Sequence, residues 1–526
     1  MGRRAVAWVA AVLCFESLCR AQWSNYAGDP QHSALSATAS QTLRRIHWQT
    51  PVDLAPEYSD GDLLIHYGSP LVTAANTVIV PIKTGSRRQV QSEAAEAGGE
   101  NSGPAMPPRD NFTVEARSGA DGRVIWKQTT DYILPMHNWT PPLGLALAPG
   151  GRLYFPGAAG TVYYRDTPDN AAGEQGQLAF YGISQYEASR QSRHAFQRSV
   201  KISTPLTADA LGNIYFGFVV EGNPGLWPLY DASGRKMESG IARIAASGES
   251  AWIPASVAAG DSAITQVVMN CAPAISNDGA VVYIAVSDQR AGYLLALSST
   301  TLSPLARVRL KDPKSGRDAI LSDSGTASPA VGPDGDVYFG VRENPCCREN
   351  HDRGWLLHFD STLARFKTPS AFGWDNTPSV VPASLVSSYS GTSRYLLFSK
   401  FNDYWEAGGD GRNRIAILDP NATETEPVNQ IAVMRQVLTI LGPTPADDGV
   451  GVREWCINSA AVDPATKSVL ANNEDGILYR WDLTTNTLSQ KVVLTAGFGE
   501  AYTPTVIGVD GTVYAINDAI LFAVGE

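Results

Sequence analysis

The chain is poor in the residues from which ready-made chemistry is usually assembled. Its 526 residues include six cysteines, six methionines and seven histidines, and only 18% are charged. No histidines fall at zinc-ligand spacing, and no Gly-rich phosphate loop, Gly-x-Ser-x-Gly elbow or paired-histidine motif occurs. Lysine and arginine never cluster. With a net charge of −11, this argues against nucleic acid or an anionic membrane as partner, since both are held through basic clusters. After the first residues no apolar run approaches the roughly 20 residues that a membrane helix requires. No segment sustains apolar spacing of three and four, so a helical architecture is excluded as well.

What is present begins with an export pattern. Arg3 and Arg4 precede an apolar run through Val6, Val9 and Leu13, and Cys19-Arg20-Ala21 follows at cleavage spacing. Residues 1–21 therefore read as a secretory signal, with Gln22 as the mature start and a secreted or periplasmic destination. Glu16 interrupts the end of the run, which leaves an uncleaved anchor as the alternative. Four cysteines remain after cleavage: Cys271, Cys346, Cys347 and Cys456. In an oxidising compartment they allow three pairings, one of them the adjacent Cys346–Cys347. The plainest expectation is two ordinary bridges, with Cys271 and Cys456 each pinning the Cys346-Cys347 loop.

At this length the chain must split into domains or repeat a unit, because single cores stop growing near roughly 250–300 residues. One pattern does repeat. A small residue and Pro lead into a short apolar strand, a Gly/Asp/Asn turn and a second, aromatic-rich strand. It begins at Pro70, Pro142, Pro205, Pro273, Pro329, Pro378 and Pro504, with a looser copy at Ser459-Ala460. Turns such as Asp-Gly and Gly-Gly tolerate the positive φ of tight hairpins, and the strands they join are Val/Ile/Tyr/Phe-rich. Third strands follow in most copies, among them TVYYRD, YLLALS, WLLHFD and RIAILD. This predicts an all-β fold over residues 22–526: an eight-bladed propeller of four-stranded antiparallel blades. The count becomes seven if the Pro142 or Pro378 copy is misread. The last copy stops after its third strand, ILFAV. The isolated strand LRRIHWQT near the N-terminus is expected to complete it and close the ring.

Two stretches carry a family resemblance. Ala116, Asp121-Gly122 and Trp126 in ARSGADGRVIW, and more loosely Ala242, Ser247-Gly248 and Trp252, have the spacing of the tryptophan-docking motif. The opening WSNYAGDPQHSALS, Trp23–Ser36, resembles the first segment of the same proteins. The chain thus resembles the quinoprotein alcohol dehydrogenase-like superfamily of pyrroloquinoline-quinone (PQQ) repeats. That superfamily includes dehydrogenases and also scaffold propellers that hold no quinone. The resemblance implies a structural, blade-packing role for the motif Trp. It also implies PQQ and calcium as candidate cofactors, although the Glu, Asn and Asp around the calcium have no motif match here. In PQQ alcohol dehydrogenases an adjacent cystine lies against the quinone, so ENPCCREN, around Cys346 and Cys347, invites that reading despite its position in the fifth blade.

In a propeller the loops entering the inner strands and those joining second to third strands share one face, where ligands bind. The residues before each recurrent Pro fall there: Trp139, Asn270-Cys271, Asp323-Ser324, Trp374-Asp375-Asn376, Glu454-Trp455-Cys456, and Glu500 with Tyr502. The insertions Lys83 to Asp110, Glu221 to Ser239, Glu343 to Gly354 and Asn402 to Arg412 share that side, and the first reads as a mobile loop. Trp139, Trp374, Asp375, Asn376, Glu454, Trp455, Glu500 and Tyr502 are the ligand-binding candidates. Their aromatic faces would stack on a ring-shaped ligand and their carboxylates would take its hydroxyls. Alternatively, the aromatics simply plug the channel. Asp403, Glu406 and Asp410 offer hard oxygens for calcium without the spacing of a standard loop. The leading functional expectation is a non-catalytic binding or scaffold propeller whose loop face takes a protein, glycan or small molecule. A PQQ-dependent alcohol or sugar dehydrogenase comes second, and a carbohydrate-active propeller using Glu454 or Asp375 third.

Overall fold

The computed structural model describes residues 23–59, 62–63, 67–85, 112–137, 139–191, 195–222, 228–321, 325–447, 449–497 and 501–526. The expected signal therefore lies outside the described residues. So do most of the Lys83–Asp110 insertion, part of Glu221–Ser239, and Asn138, Asp323, Ser324 and Glu500.

The repeats fold as blades. Blade 1 runs from its inner strand Leu71–Val72 through Thr77–Lys83 and Phe112–Ser118 to its outer strand Val124–Thr130. Blades 2, 3 and 4 follow with inner strands Ala146–Leu147, Thr207–Ala208 and Ala274–Ile275, and blade 5 with Ala330–Val331. Blades 6, 7 and 8 start at Ser379–Pro382, Ala461–Asp463 and Val506–Ile507. The expected eight blades are present. In blades 2, 3, 4, 5 and 8 the first hairpin turns on a glycine held at positive φ, Gly151, Gly212, Gly279, Gly335 and Gly511, and in blade 1 on Asn76 at φ 63°. In the looser seventh copy Lys467 takes the left-handed position instead, at φ 51°.

Closure follows the expected route. Arg45–Pro51 pairs antiparallel with Ile520–Gly525, setting Trp48 opposite Ala523 and Gln49 opposite Phe522. The indole of Trp48 donates to the carbonyl of Gly119 at 2.9 Å, which ties the closing blade to the first. Trp126 performs the packing role expected of the docking motif. Its Nε1 donates to Pro168 O of blade 2 at 2.6 Å, and Arg165 of the same blade lies 4.3 Å above its ring. Trp252 differs. Its indole donates to Asp231 within its own blade's insertion, under Arg235.

Two details depart from the expected plan. Blade 5 has three regular strands rather than four. Its outer edge is only bridged, Phe366 to Phe359 and Ser370 to Leu356, because STLARFKTPS lacks an alternating strand pattern and contains Pro369. Short helices, Ile183–Gln191 and Ala195–Ser199, cross between blades 2 and 3. No described helix is long and apolar enough to cross a membrane.

The N-terminal segment occupies the channel axis and meets the blades in order. Trp23 exchanges backbone hydrogen bonds with Val72 of blade 1, Ser24 O accepts from Leu147 of blade 2, and the Asn25 side chain pairs with the backbone of Ala208 in blade 3. The carbonyls of Pro30, Gln31, Ser33 and Ala34 accept from Ile275, Val331, Val380 and Val462, the inner strands of blades 4 to 7, at 2.8–2.9 Å. Gln41 N then donates to Gly511 O of blade 8. The Tyr26 hydroxyl donates to Asn458 Oδ1 and lies 3.2 Å from Thr377 Oγ1. Trp23 is completely buried. The substitution Trp23→Ala should therefore cost about 3–5 kcal/mol of unfolding free energy. Denaturant titration measures this, and a loss below about 1 kcal/mol would show that the segment is not a structural hub.

Candidate functional site at the channel mouth

A depression of about 510 Å³ opens among the loops of blades 5 to 8. The insertion of blade 5 supplies Cys346, Cys347, Arg348 and Asp352 to its wall. The blade 5–6 loop supplies Trp374, and the blade 6 insertion Tyr404 and Glu406. Lys400 reaches it from the end of a blade 6 strand, Glu454 from the blade 6–7 loop, and Tyr502 from the blade 7–8 loop. Trp139 stands edge-on to Tyr502, with ring centroids 6.4 Å apart.

The sequence candidates divide sharply. Trp374, Glu454 and Tyr502 line the depression, and Trp139 backs it. Asp375 is buried, accepts from the backbone N–H and hydroxyl of Thr326, and lies 3.9 Å from Lys400 Nζ. Its role in this arrangement is to hold the wall. Asn376 and Trp455 do not belong to the site. Asn376 is fully buried with Nδ2 on Ser399 Oγ, and Trp455 is fully buried against Tyr479. Both lie in the loops that enter blades 6 and 7, and in the first of these Asp375 at φ 53° turns the chain inward between Trp374 and Asn376.

The metal candidates Asp403, Glu406 and Asp410 do not converge. Asp403 takes the His351 ring nitrogen at 2.6 Å and the backbone N–H of Asp410 at 3.2 Å. Asp410 caps its own turn by accepting from Arg412 N, while Glu406 turns to the depression. These carboxylates are engaged in fixing the loop and tying it to the blade 5 insertion.

The cysteine expectation also needs correction. Cys346 and Cys347 are joined to each other across a cis peptide bond, while Cys271 and Cys456 are buried and form no disulfide. Cys271 is fully enclosed in the apolar core around blade 4, where burial pushes its thiol up to about 12. Cys456 instead donates to Glu474 Oε2 at 2.9 Å. Neither can pin the exposed loop from these positions.

Sequence reasoning missed Arg342, Lys400, Tyr404 and Glu474. The Arg342 guanidinium forms a fork with Asp352, at 2.9 Å for both bonds. It reaches the Cys347 sulfur at 3.1 Å and lies 5.0 Å from the centre of the Trp374 ring. Lys400 sits in the strand Tyr395–Phe401, all of it buried. A lone cation closing an apolar run was the available signal, since lysine is almost never fully buried without a partner. Burial raises both Glu454 and Glu474, the latter to about 8 with the Glu454 charge adding to the effect. Tyr404 hydrogen-bonds Glu454.

No family model matches the sequence, and no curated protein does either. Solved structures do match. A europium-containing methanol dehydrogenase superposes with a TM-score of 0.56 at 9% identity, covering 97% of this chain and 92% of its own. The quinohemoprotein alcohol dehydrogenase of Comamonas testosteroni gives 0.53 at 11% identity, covering 98% and 82%. The fold is the PQQ-like β-propeller. At these identities the likeness is one of fold, so the quinone has to be tested against the residues themselves. A flat ring sandwiched between the adjacent cystine and Trp374 would need the gap that Arg342 fills, 3.1 Å from the Cys347 sulfur and 5.0 Å from the Trp374 ring centre. Among the described residues the two groupings of three potential ligands are Cys346–Cys347–Asp352 and Glu454–Cys456–Glu474. The first spends its sulfurs on the cystine, and the second mixes a thiol with two acids. Neither is the all-oxygen shell that calcium selects. The described residues do not fit PQQ with calcium.

The raised Glu474 gives this propeller a defined pH signature. In the unfolded chain this carboxyl ionises near pH 4.3, whereas in the fold it keeps its proton up to about pH 8. The native state thus binds the extra proton between those limits, and stability falls as pH rises through them. Glu474→Gln, neutral throughout, should reduce the loss of unfolding free energy between about pH 5 and 8, with denaturant titrations at several pH values as the measurement. A slope identical to that of the parent protein would contradict the assignment.

Proposed function

We propose that this PQQ-like propeller is an exported, non-catalytic binding protein whose channel mouth takes a small, ring-shaped, hydroxylated ligand. The observation that carries the reading is the composition of the depression. The aromatic residues Trp374, Tyr404 and Tyr502 share one concave wall with the carboxyl groups of Asp352, Glu406 and Glu454. Aromatic faces bury the apolar side of a ring, and carboxyl groups take its hydroxyls. Support also comes from the closed floor, because the Trp23–Ser36 plug makes the mouth a cup rather than a pore. Export rests on the pattern of residues 1–21 alone.

A carbohydrate-active propeller is the second reading. It rests on Glu454, whose carboxyl burial raises, against the opposing charge of Lys400 and with the charge of Glu406 adding to the rise. A protonated acid beside a carboxylate is the pairing that glycoside hydrolysis uses.

Titration of the protein with mono- and oligosaccharides, followed by intrinsic fluorescence and calorimetry, tests the first reading. Saturable binding is expected, weakened about tenfold or more by Trp374→Ala or Tyr502→Ala. Binding that both substitutions leave untouched, or no binding across the panel, would overturn it. Release of reducing ends from the bound sugars, abolished by Glu454→Gln, would move the assignment to the enzyme.

A further inference from the structure

Lys400 is the least expected group in the wall. It follows Tyr395-Leu-Leu-Phe-Ser in a strand whose every residue is buried, and it is itself only 2% exposed. Its ammonium group nevertheless borders the open depression. Nζ donates a hydrogen bond to no described residue. Its ion-pair partner is Asp375, whose Oδ2 lies 3.9 Å away while Thr326 holds the other oxygen, Oδ1, and the Lys400 charge also reaches Glu454. Two ring faces border it as well: Tyr502 at 5.2 Å and Phe372 at 5.7 Å from ring centre to Nζ. Aromatic faces attract a cation but accept none of its N–H bonds. An ammonium paired by charge at 3.9 Å keeps its three N–H donors for closer acceptors. Its open side faces the depression.

The rest of the wall narrows what that something is. Asp352, Glu406 and Glu454 lie around the same space, so a multiply charged anion such as a phosphate would meet like charges. A single carboxylate on Lys400 avoids them and leaves the rest of the ligand neutral. Arg348, the other cation in the wall, is exposed at the rim. The ring and hydroxyl requirements are those already assigned to this mouth.

We propose that the channel mouth recognises an acidic sugar, a hexuronic acid free or at the end of a chain, with its carboxylate on Lys400 Nζ. Its ring lies against Tyr502 and Trp374, and its hydroxyls meet Glu406 and Glu454. This rests on the ring-ligand reading above and adds the charge of the ligand to it.

The experiment compares matched pairs by calorimetry: D-glucuronate with D-glucose, D-galacturonate with D-galactose, and each uronate with its methyl ester, whose charge is removed without touching the protein. PQQ is included as a separate anionic ring. At least one uronate should bind about tenfold or more tighter than both its neutral hexose and its ester. Lys400→Met should erase that preference, weakening the uronate about tenfold or more relative to its effect on the neutral sugar, and Lys400→Arg should keep part of it. Thermal melting checks that the variants fold, and the ester comparison decides the matter without them. Equal binding of charged and neutral partners would overturn the lysine anchor and leave the ring-ligand reading standing. Absence of binding by every sugar would overturn both. Lys400-dependent binding of PQQ in preference to every uronate would reassign the anion to the quinone and sink the proposal.

Discussion

Each inner strand of a propeller turns one row of backbone groups toward the central channel, and those groups need partners. In this molecule the partner is a single stretch of chain. Between Trp23 and Gln41 the N-terminal segment offers a backbone or side-chain bond to every blade in turn, and Arg45–Pro51 then fills the vacant edge of the last blade. Buried backbone groups left unpaired are costly, and exposed strand edges invite wrong pairing. One segment answers both problems. It also fixes blade order, because Trp23 cannot reach Val72 while Ala34 reaches Val462 unless the blades between them stand in their proper places.

Among the described residues the depression at the loop face lies to one side of the ring, among blades 5 to 8. The insertions of blades 5 and 6 shift it over blades 5 to 8. The Cys346–Cys347 loop is held from beneath by a buried Arg353–Glu426 pair at 2.9 Å and by Asn350, which donates to the carbonyls of Gly354 and Ala371. From the side, His351 on Asp403 joins this loop to the neighbouring insertion. Wall residues supported by such a network are preorganised, so ligand binding spends little on ordering them.

The architecture was legible because it is written in repeated local chemistry. Glycine at the hairpin tip, a small residue with Pro at the blade entrance and apolar strands between them recur often enough to count, and the orphan strand around Trp48 matched the missing edge at Phe522. Blade 5 escaped because a bridged edge has no strand pattern to read. The site was half legible. Position before the recurrent Pro pointed to Trp374, Glu454 and Tyr502, but the same rule picked Asn376 and Trp455, which the loops turn into the packed interior. Lys400 was missed because the rule looked only at loops, whereas this cation stands at the end of a strand. Asp403 looked like a ligand because its partner, His351, lies 52 residues away in another blade.

The cystine shows how the same feature can serve different ends within one fold. Beside a quinone, an adjacent cystine offers a flat, polarisable surface to a flat ring. Here the sulfur of Cys347 faces the Arg342 guanidinium, which is held by Asp352 and set against the indole of Trp374. That guanidinium is itself planar and delocalised, so it can lie against an aromatic ring while its N–H groups hold a carboxylate. Cystine, arginine and tryptophan thus form one continuous stack within the protein wall. The next open surfaces lie across the cup, where Tyr502 and Lys400 stand. The filling of that gap by Arg342 moves the place of recognition away from the cystine and toward the lysine.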